Sequence, residues 1–383
     1  MIRAVGRRLA APAIAITSVP GFRRAAMDGY AVRFSDTRPI AEGHVISLEI
    51  VGKSLPGRPC LREIGAGECA AIATGAVVPE GADTIARWEI VDRHDNRILI
   101  HKPVEARKDI ALPDEDIPAG TVIVAPPRTL RPQDVAACAS AGLSELRVVR
   151  KPRVGILLTG DELVSPGATS SLGQIVDTNS IVLRHLIERD GGEVVTLADD
   201  GGSLVRDDFE SIHSALKDLL ERVDCLLVSG GTSYGEGDHA IAALLASGNI
   251  AFRGVRMRPG APITFGMAGD VPVVLLPGNP VACRFGYDLL ARCIVRAQGA
   301  RDVAWPYPVR PMQLVRPVRS ALGRVDCVRV RLVDEGRVDP VWPRGASILS
   351  STVLADGFVV VPEQVESLEA DQTVDVHFYD VQD

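Results

Sequence analysis

No Cys-x-x-Cys pair occurs among the seven cysteines of this 383-residue chain (Cys60, Cys69, Cys138, Cys225, Cys283, Cys293 and Cys327). An odd number without that spacing excludes a disulfide framework and a zinc ribbon. Cys225 and Cys283 stand in apolar runs and read as core packing rather than nucleophiles. The seven histidines are scattered without metal-ligand spacing. No apolar stretch reaches membrane-spanning length, and the short patch at 10–16 is interrupted by Pro12, so neither an anchor nor a signal peptide is expected. The expectation is a cytoplasmic protein. Basic charge is not in excess: 42 Lys and Arg stand against 49 Asp and Glu, a net −7. That balance argues against a nucleic acid or a membrane surface as partner, while leaving room for a local basic pocket. Low-complexity tracts and internal repeats are also missing.

What is present is ordinary globular material, 46% hydrophobic and 24% charged, long enough for roughly two to four domains. Short β-type runs at 45–50, 69–72 and 97–100, punctuated by Gly and Pro, predict a small all-β module. A further strand over 121–125 and a helix opening at Pro132 and ending near Gly142 follow. The pattern then changes. Apolar runs at 153–158, 193–197, 225–228 and 273–276 alternate with helical spacing. The helices are predicted from Asn179 or Ser180 to Arg189, from a cap at Ser203 to about Glu221, from Asp238, and from Pro280. Such alternation predicts a parallel sheet covered on both faces. From about 305 onward short β runs return (327–332, 358–361, 373–378), predicting a second β domain.

In an open α/β sheet ligands bind beyond the carboxyl ends of the strands. Three loops there should converge on one rim: Thr159-Gly160-Asp161-Glu162, the Gly-rich stretch 229–238, and Pro277-Gly278-Asn279-Pro280. The second loop is no Walker A motif, since no Lys follows its glycines, and no GxGxxG fingerprint follows the first strand. Its glycines allow close backbone approach and it runs into a helix start, which suits a phosphate. A tight strand-to-helix turn explains it equally well. Asp238 is either the N-cap of that helix or a ligand for Mg²⁺, and Asp161 and Glu162 pose the same choice. Asn279-Pro280 reads as a helix start, Asn capping and Pro in the first turn. Arg253, Arg256 and Arg258 precede Pro259-Gly260 and form either a solvated edge or an anion site.

Eight strings in fixed order then become informative: AMDGYAVR (26–33), TGAVVPEGAD (74–83), DEDI (114–117), TGDEL (159–163), GQIVDTNS (173–180), SGGTSYGEGDH (229–239), PGNPV (277–281) and GASILSS (345–351). Together they resemble the molybdopterin molybdenumtransferases, the MoeA/gephyrin family, over nearly the whole chain. The resemblance implies a multidomain α/β-plus-β subunit. Its parts would be a linker domain (1–22 and 107–150), an inserted small β domain (23–106), a central parallel α/β molybdopterin-binding domain (151–300) and a C-terminal β barrel (301–383). It implies a homodimer, contacts with the adenylylating enzyme and with recipient molybdoenzymes, and insertion of molybdenum from molybdate into adenylylated molybdopterin with release of AMP. A non-catalytic carrier or scaffold paralogue is the alternative.

By motif, Asp28, Thr74, Asp116 and Asp238 would be catalytic. Thr159, Gly160, Asp161, Glu162, Ser229, Gly230, Gly231, Gly235, Glu236, Arg258, Gly260, Pro277, Gly278 and Asn279 would bind the substrate, and Asp238 with Glu236 would hold Mg²⁺. The chain departs from the pattern in three places. Residues 3–9 are expected to start after one or two helices that the family usually has before the first motif, Arg23-Arg24 replaces an Asn or Asp, and Ala261 replaces a lysine.

Overall fold

The computed structural model describes residues 1–198, 202–230, 239–343 and 345–379. They form two compact units, Met1–Val148 and Val149–Asp383.

In the first unit the Gly- and Pro-punctuated runs make a six-stranded sheet, in the order Thr84–Arg87, Gly29–Val32, Glu68–Ile72, Ile46–Ser54, Arg97–Ile100, Val91–His94. All neighbours are antiparallel except Ile46–Ser54 and Glu68–Ile72. Successive side chains of a strand point to opposite faces. Ala31, Ala70 and Ile85 therefore join one core with Ile64 and Val78, while Tyr30, Val32 and Ala86 join another with Leu48 and Ile98. A third cluster gathers Leu9 and Ala13 with Val124, Leu130, Val135 and Cys138, and Ala13–Ile14 pairs with Val122–Val124. Helix Pro132–Ser140 starts where Asp134 accepts the Arg131 N–H at 2.9 Å.

In the second unit the sheet runs Glu193–Val195, Arg153–Thr159, Cys225–Ser229, Val271–Leu276, Thr264–Ala268, Asn249–Arg253, with Leu204–Val205 beside the end of Arg153–Thr159. Its central strands are apolar on both faces. Leu157, Leu226 and Val273 pack under helices Phe209–Leu220 and His239–Ser247. Ile156, Leu227 and Val274 pack under Asn179–Arg189 and the helical run that begins at Pro280–Gly286.

Two expectations need correction. The sheet is parallel only through Val271–Leu276, and the last two strands are antiparallel. Only Gly269-Asp270 separates Ala268 from Val271, a two-residue hairpin connection that admits no crossover helix. Ser203 caps no helix either. Its carbonyl accepts the Leu158 N–H at 2.8 Å, and the helix instead begins at Asp208, whose carboxylate accepts the Ser211 N–H at 2.8 Å.

The C-terminal strands Val325–Asp334, Arg337–Pro340, Val309–Leu314, Thr373–Phe378 and Gly357–Val361 pair in that order, and the last pairs back to the first. The result is a closed five-stranded barrel, extended by Met257–Arg258 along Val325–Asp326. Closure removes the exposed edges that an open sheet must protect. A buried polar network braces this unit. Asp190, fully buried, accepts from Arg189 (2.7 Å), Arg296 (3.0 Å) and the Tyr287 hydroxyl (3.1 Å). Asp288 accepts from Arg189 (3.0 Å) and the Tyr307 hydroxyl (2.7 Å).

Candidate functional site

Parallel register brings the rim together. Leu158 stands opposite Ser229, and Ser229 opposite Leu276, so Thr159, Gly230 and Pro277 leave the sheet side by side. Their loops line a cleft of ≈ 610 Å³ together with Glu162, Asp177, Asn179, Asp207 and Ser347. Gly230 takes φ +105°, and a Cβ there would meet the Thr159 carbonyl oxygen at 2.1 Å. Only glycine lets these two strand ends come so close. The Gly278 loop packs against it, since a Cβ on Gly278 would lie 3.7 Å from the Gly230 Cα.

Side chains then fix the loops to one another. Asn179, in the first turn of its helix and 7% exposed, donates its amide to the Ser229 hydroxyl at 2.9 Å and to the Gly278 carbonyl at 2.8 Å. Ser229 in turn donates to the Pro277 carbonyl at 3.3 Å and lies 3.7 Å from the Cys283 sulfur. Burial pushes the Cys283 thiol up to about 12, so it serves as packing beneath the cleft. Thr159 donates to Asp207 at 2.8 Å, and the Asp207 N–H donates to Asp161 at 3.2 Å. One oxygen of Asp161 therefore has a structural task.

Pro280 occupies the first helical turn as expected. Asn279, however, makes no side-chain cap, because its side chain is exposed along the cleft wall.

Beside the cleft a second pocket of ≈ 340 Å³ shares Pro262, Pro277 and Asn279 with it. Arg256, Arg258 and Arg324 line it, with Gly260 and Ala261. Arg256 reaches Glu363 at 3.5 Å and Arg324 reaches Asp326 at 3.3 Å. Arg258 has no ion-pair partner among the described residues. Arg253 lies on the sheet-edge strand Asn249–Arg253 and lines neither cavity.

In the first unit, Asp28 and Thr74 meet. The Asp28 carboxylate accepts the Thr74 N–H at 2.7 Å and its hydroxyl at 3.1 Å, and both residues are exposed. Nearby, Arg87 grips Asp109 through two bonds of 2.6 Å, which holds that carboxyl below its usual range. Asp116 is exposed and forms no hydrogen bond to Asp28 or Thr74. Its N–H donates to the Val19 carbonyl at 3.0 Å. Gly231, Gly235, Glu236 and Asp238 lie outside the described residues. Asp177, Asp207 and Arg324 were not singled out from the sequence and Asn179 only as a helix start, although Asp177 and Asn179 lie inside the GQIVDTNS string.

Parallel strands whose ends at Thr159, Gly230 and Pro277 line one cleft, in the same unit as a closed barrel, define a mixed α/β-plus-β fold with a cavity at the sheet rim. Family models match three stretches: the MoeA N-terminal region (domain I and II) over residues 1–142, a probable molybdopterin binding domain over 155–297, and the MoeA C-terminal region (domain IV) over 311–379. The molybdopterin molybdenumtransferase of Haemophilus influenzae is 31% identical over 97% of this chain and 91% of its own length. Molybdopterin molybdenumtransferase 2 of Mycobacterium tuberculosis is 31% identical over 97% and 92%. A crystal structure of the molybdopterin biosynthesis MoeA protein from Pyrococcus horikoshii superposes with TM-score 0.83 at 30% identity, covering all of this chain and 93% of that one. The chain belongs to the MoeA family of molybdopterin molybdenumtransferases, proteins of molybdenum-cofactor biosynthesis. Among the described residues no helix is long and apolar enough to cross a membrane.

Proposed function

We propose that the protein is a cytoplasmic enzyme that takes adenylylated molybdopterin and molybdate, releases AMP and leaves molybdenum on the dithiolene. The observation that carries this reading is the meeting of three strand ends, at Thr159, Gly230 and Pro277, around one cleft, with an arginine-lined pocket opening beside it. A ligand holding both a pyrophosphate and an extended organic body needs such a pairing. Buried loops and the Asn179 amide hold the shape, and guanidinium groups meet the phosphate oxygens. In this reading Thr159, Gly160, Asp161, Glu162, Ser229, Gly230, Pro277, Gly278 and Asn279 shape the cleft, while Arg258 and Gly260 shape the anion pocket.

The division into linker, inserted β, molybdopterin-binding and barrel domains at 1–22 with 107–150, 23–106, 151–300 and 301–383 belongs to the same proposal. So do a homodimer and catalytic roles for Asp28, Thr74, Asp116 and Asp238. Mg²⁺ would rest on Asp238 and Glu236. Among the described residues no three His, Cys, Asp or Glu side chains gather to hold a metal.

The test is AMP release from adenylylated molybdopterin by the purified protein, with and without molybdate. Release only when molybdate is present supports insertion. Tight binding of the substrate with no release in either condition would make the protein a carrier instead. Light scattering at micromolar concentration tests the dimer, and a fully active monomer refutes it.

A further inference from the structure

Next to the main cleft, and sharing Leu158 and Asp177 with it, lies a side lobe of ≈ 590 Å³. The helix Asn179–Arg189 presents Ser180, Ile181, Arg184 and His185 to this lobe, residues grouped on one helix face by their spacing. Ser203 also lines it. It is 4% exposed, and its hydroxyl has no hydrogen-bond partner among the described residues, an arrangement that costs free energy until a ligand or water supplies one. Asp177 stands at the mouth between lobe and cleft, 5% exposed. One of its oxygens accepts the Ser180 N–H at 3.1 Å, and the other accepts from no group among the described residues. Arg184 likewise has no hydrogen-bond or ion-pair partner among them.

The lobe thus offers a carboxylate oxygen with capacity to spare, a planar cation, an orphan hydroxyl, and apolar walls from Ile181 and Leu204. We propose that this lobe seats the pterin ring of the substrate, with Asp177 reading its 2-amino-4-oxo edge; the inference rests on the function proposed above. A pterin presents two adjacent N–H donors on that edge, at the 2-amino group and at N3, followed by the 4-oxo acceptor. A carboxylate accepts from both donors, and a guanidinium donates to the neighbouring oxygen. Adenine, the other planar group of the substrate, alternates one amino donor with the N1 acceptor. Asp177 would oppose that acceptor. The adenosine half therefore lies elsewhere along the cleft, and the pterin fills a concave, mostly preformed pocket of ordinary ligand size.

The test is titration of the full chain with 6-methylpterin, followed by its fluorescence, and separately with AMP. The variants are Asp177→Asn and Arg184→Leu. Asparagine caps a helix about as well as aspartate, so the Ser180 contact survives, but its amide turns a donor toward the ring donors. Asp177→Asn is expected to weaken pterin binding at least tenfold and Arg184→Leu severalfold, both leaving AMP affinity unchanged. Pterin affinity equal to the parent's in both variants overturns the proposal. Loss of AMP rather than pterin binding overturns it too and assigns the lobe to the nucleotide. A parent that binds neither pterin nor AMP refutes the proposed function itself, and this inference with it. If Asp177→Asn melts well below the parent, Arg184→Leu, a change on a partly exposed helix face, decides the matter.

Discussion

The amide of Asn179 spans two loops, and its removal makes a sharp test of how the cleft is held. Asn179→Ala deletes the donations to Ser229 and to Gly278, at 2.9 and 2.8 Å. A buried hydrogen bond contributes about 0.5–1.5 kcal/mol net. The Gly278 carbonyl lies at an exposed position and recovers a bond from water, whereas Ser229 is 1% exposed and does not. The expected loss is therefore about 1–2 kcal/mol, or roughly 2–8 °C in the melting of a unit this size. Asn179→Asp keeps the volume but points a carboxylate oxygen at the Gly278 carbonyl. A helix start favours aspartate by about 0.3–1 kcal/mol, yet the repulsion between two acceptors across a partly buried contact exceeds that gain. The order of melting temperatures should be parent, then the alanine variant, then the aspartate variant, by scanning calorimetry. AMP affinity should fall in the same order as the loops part. A packing role would give the reverse order for the two variants, since aspartate fills the space and alanine does not. If Asn179→Asp melts at or above Asn179→Ala, the donating clamp is refuted.

Gly230→Ala should destabilise the second unit by at least about 3 kcal/mol, from left-handed strain and from displacing the Thr159 backbone, and abolish ligand binding; melting within 1 °C of the parent would contradict the close approach. Asp190→Ala removes the buried carboxylate that Arg189, Arg296 and Tyr287 share, although Arg189 keeps Asp288 and Tyr287 the Leu186 carbonyl, and should cost about 3 kcal/mol by denaturant unfolding. Asp134, held down to about 2 chiefly by its hydrogen bond from Arg131, is depressed in the folded state. Its contribution of about 1–2 kcal/mol, discounted for the exposed arginines, is full above pH 4 and is lost as pH falls toward 2. The gap in melting temperature between parent and Asp134→Asn should close over that window. Arg258→Ala should weaken molybdopterin binding about tenfold, one decade per 1.4 kcal/mol, and an unchanged titration would return Arg258 to the role of a solvated edge residue.

Local signals carried most of the elements. Apolar spacing, a start at Asn179 or Ser180 and a stop at Gly191-Gly192 predict a helix ending at Arg189, and it spans Asn179–Arg189. The loops beginning at Thr159, Ser229 and Pro277 were expected on one rim because parallel strands end together, and their register places them there. Local reading failed where the deciding contact is remote or small. The helix cap at Asp208 was assigned to Ser203 because Ser is a good capping residue. Nothing in the neighbourhood of Ser203 announces that its carbonyl belongs to the Leu158 N–H. The antiparallel edge was missed although Gly269-Asp270 between two apolar runs is a hairpin signal. The clamp at Asn179 joins residues 50 and 99 positions away, and Arg324 enters the arginine pocket from the barrel. Periodicity and spacing carry no information at that range.

The distribution of charge around the cleft also constrains how a ligand lies in it. Glu162, Asp177 and Asp207 line the cleft and Asp177 its side lobe, while Arg256, Arg258 and Arg324 are confined to the neighbouring pocket. Two like unit charges 4 Å apart repel by about 4 kcal/mol at an effective dielectric of 20, so a phosphoanhydride placed among those carboxylates pays heavily unless a cation comes with it. The junction at Pro262, Pro277 and Asn279 offers the other solution, since it lets phosphate oxygens turn toward the guanidinium groups while the neutral, donor-rich ring faces Asp177. The two solutions differ in their response to Arg258. If phosphate lies at the junction, removing that guanidinium weakens binding with or without divalent cation. If phosphate lies among the carboxylates, affinity follows the cation and ignores Arg258. Among the described residues the arginine pocket adjoins the cleft without any carboxylate of the cleft wall in its lining, and that separation favours the junction.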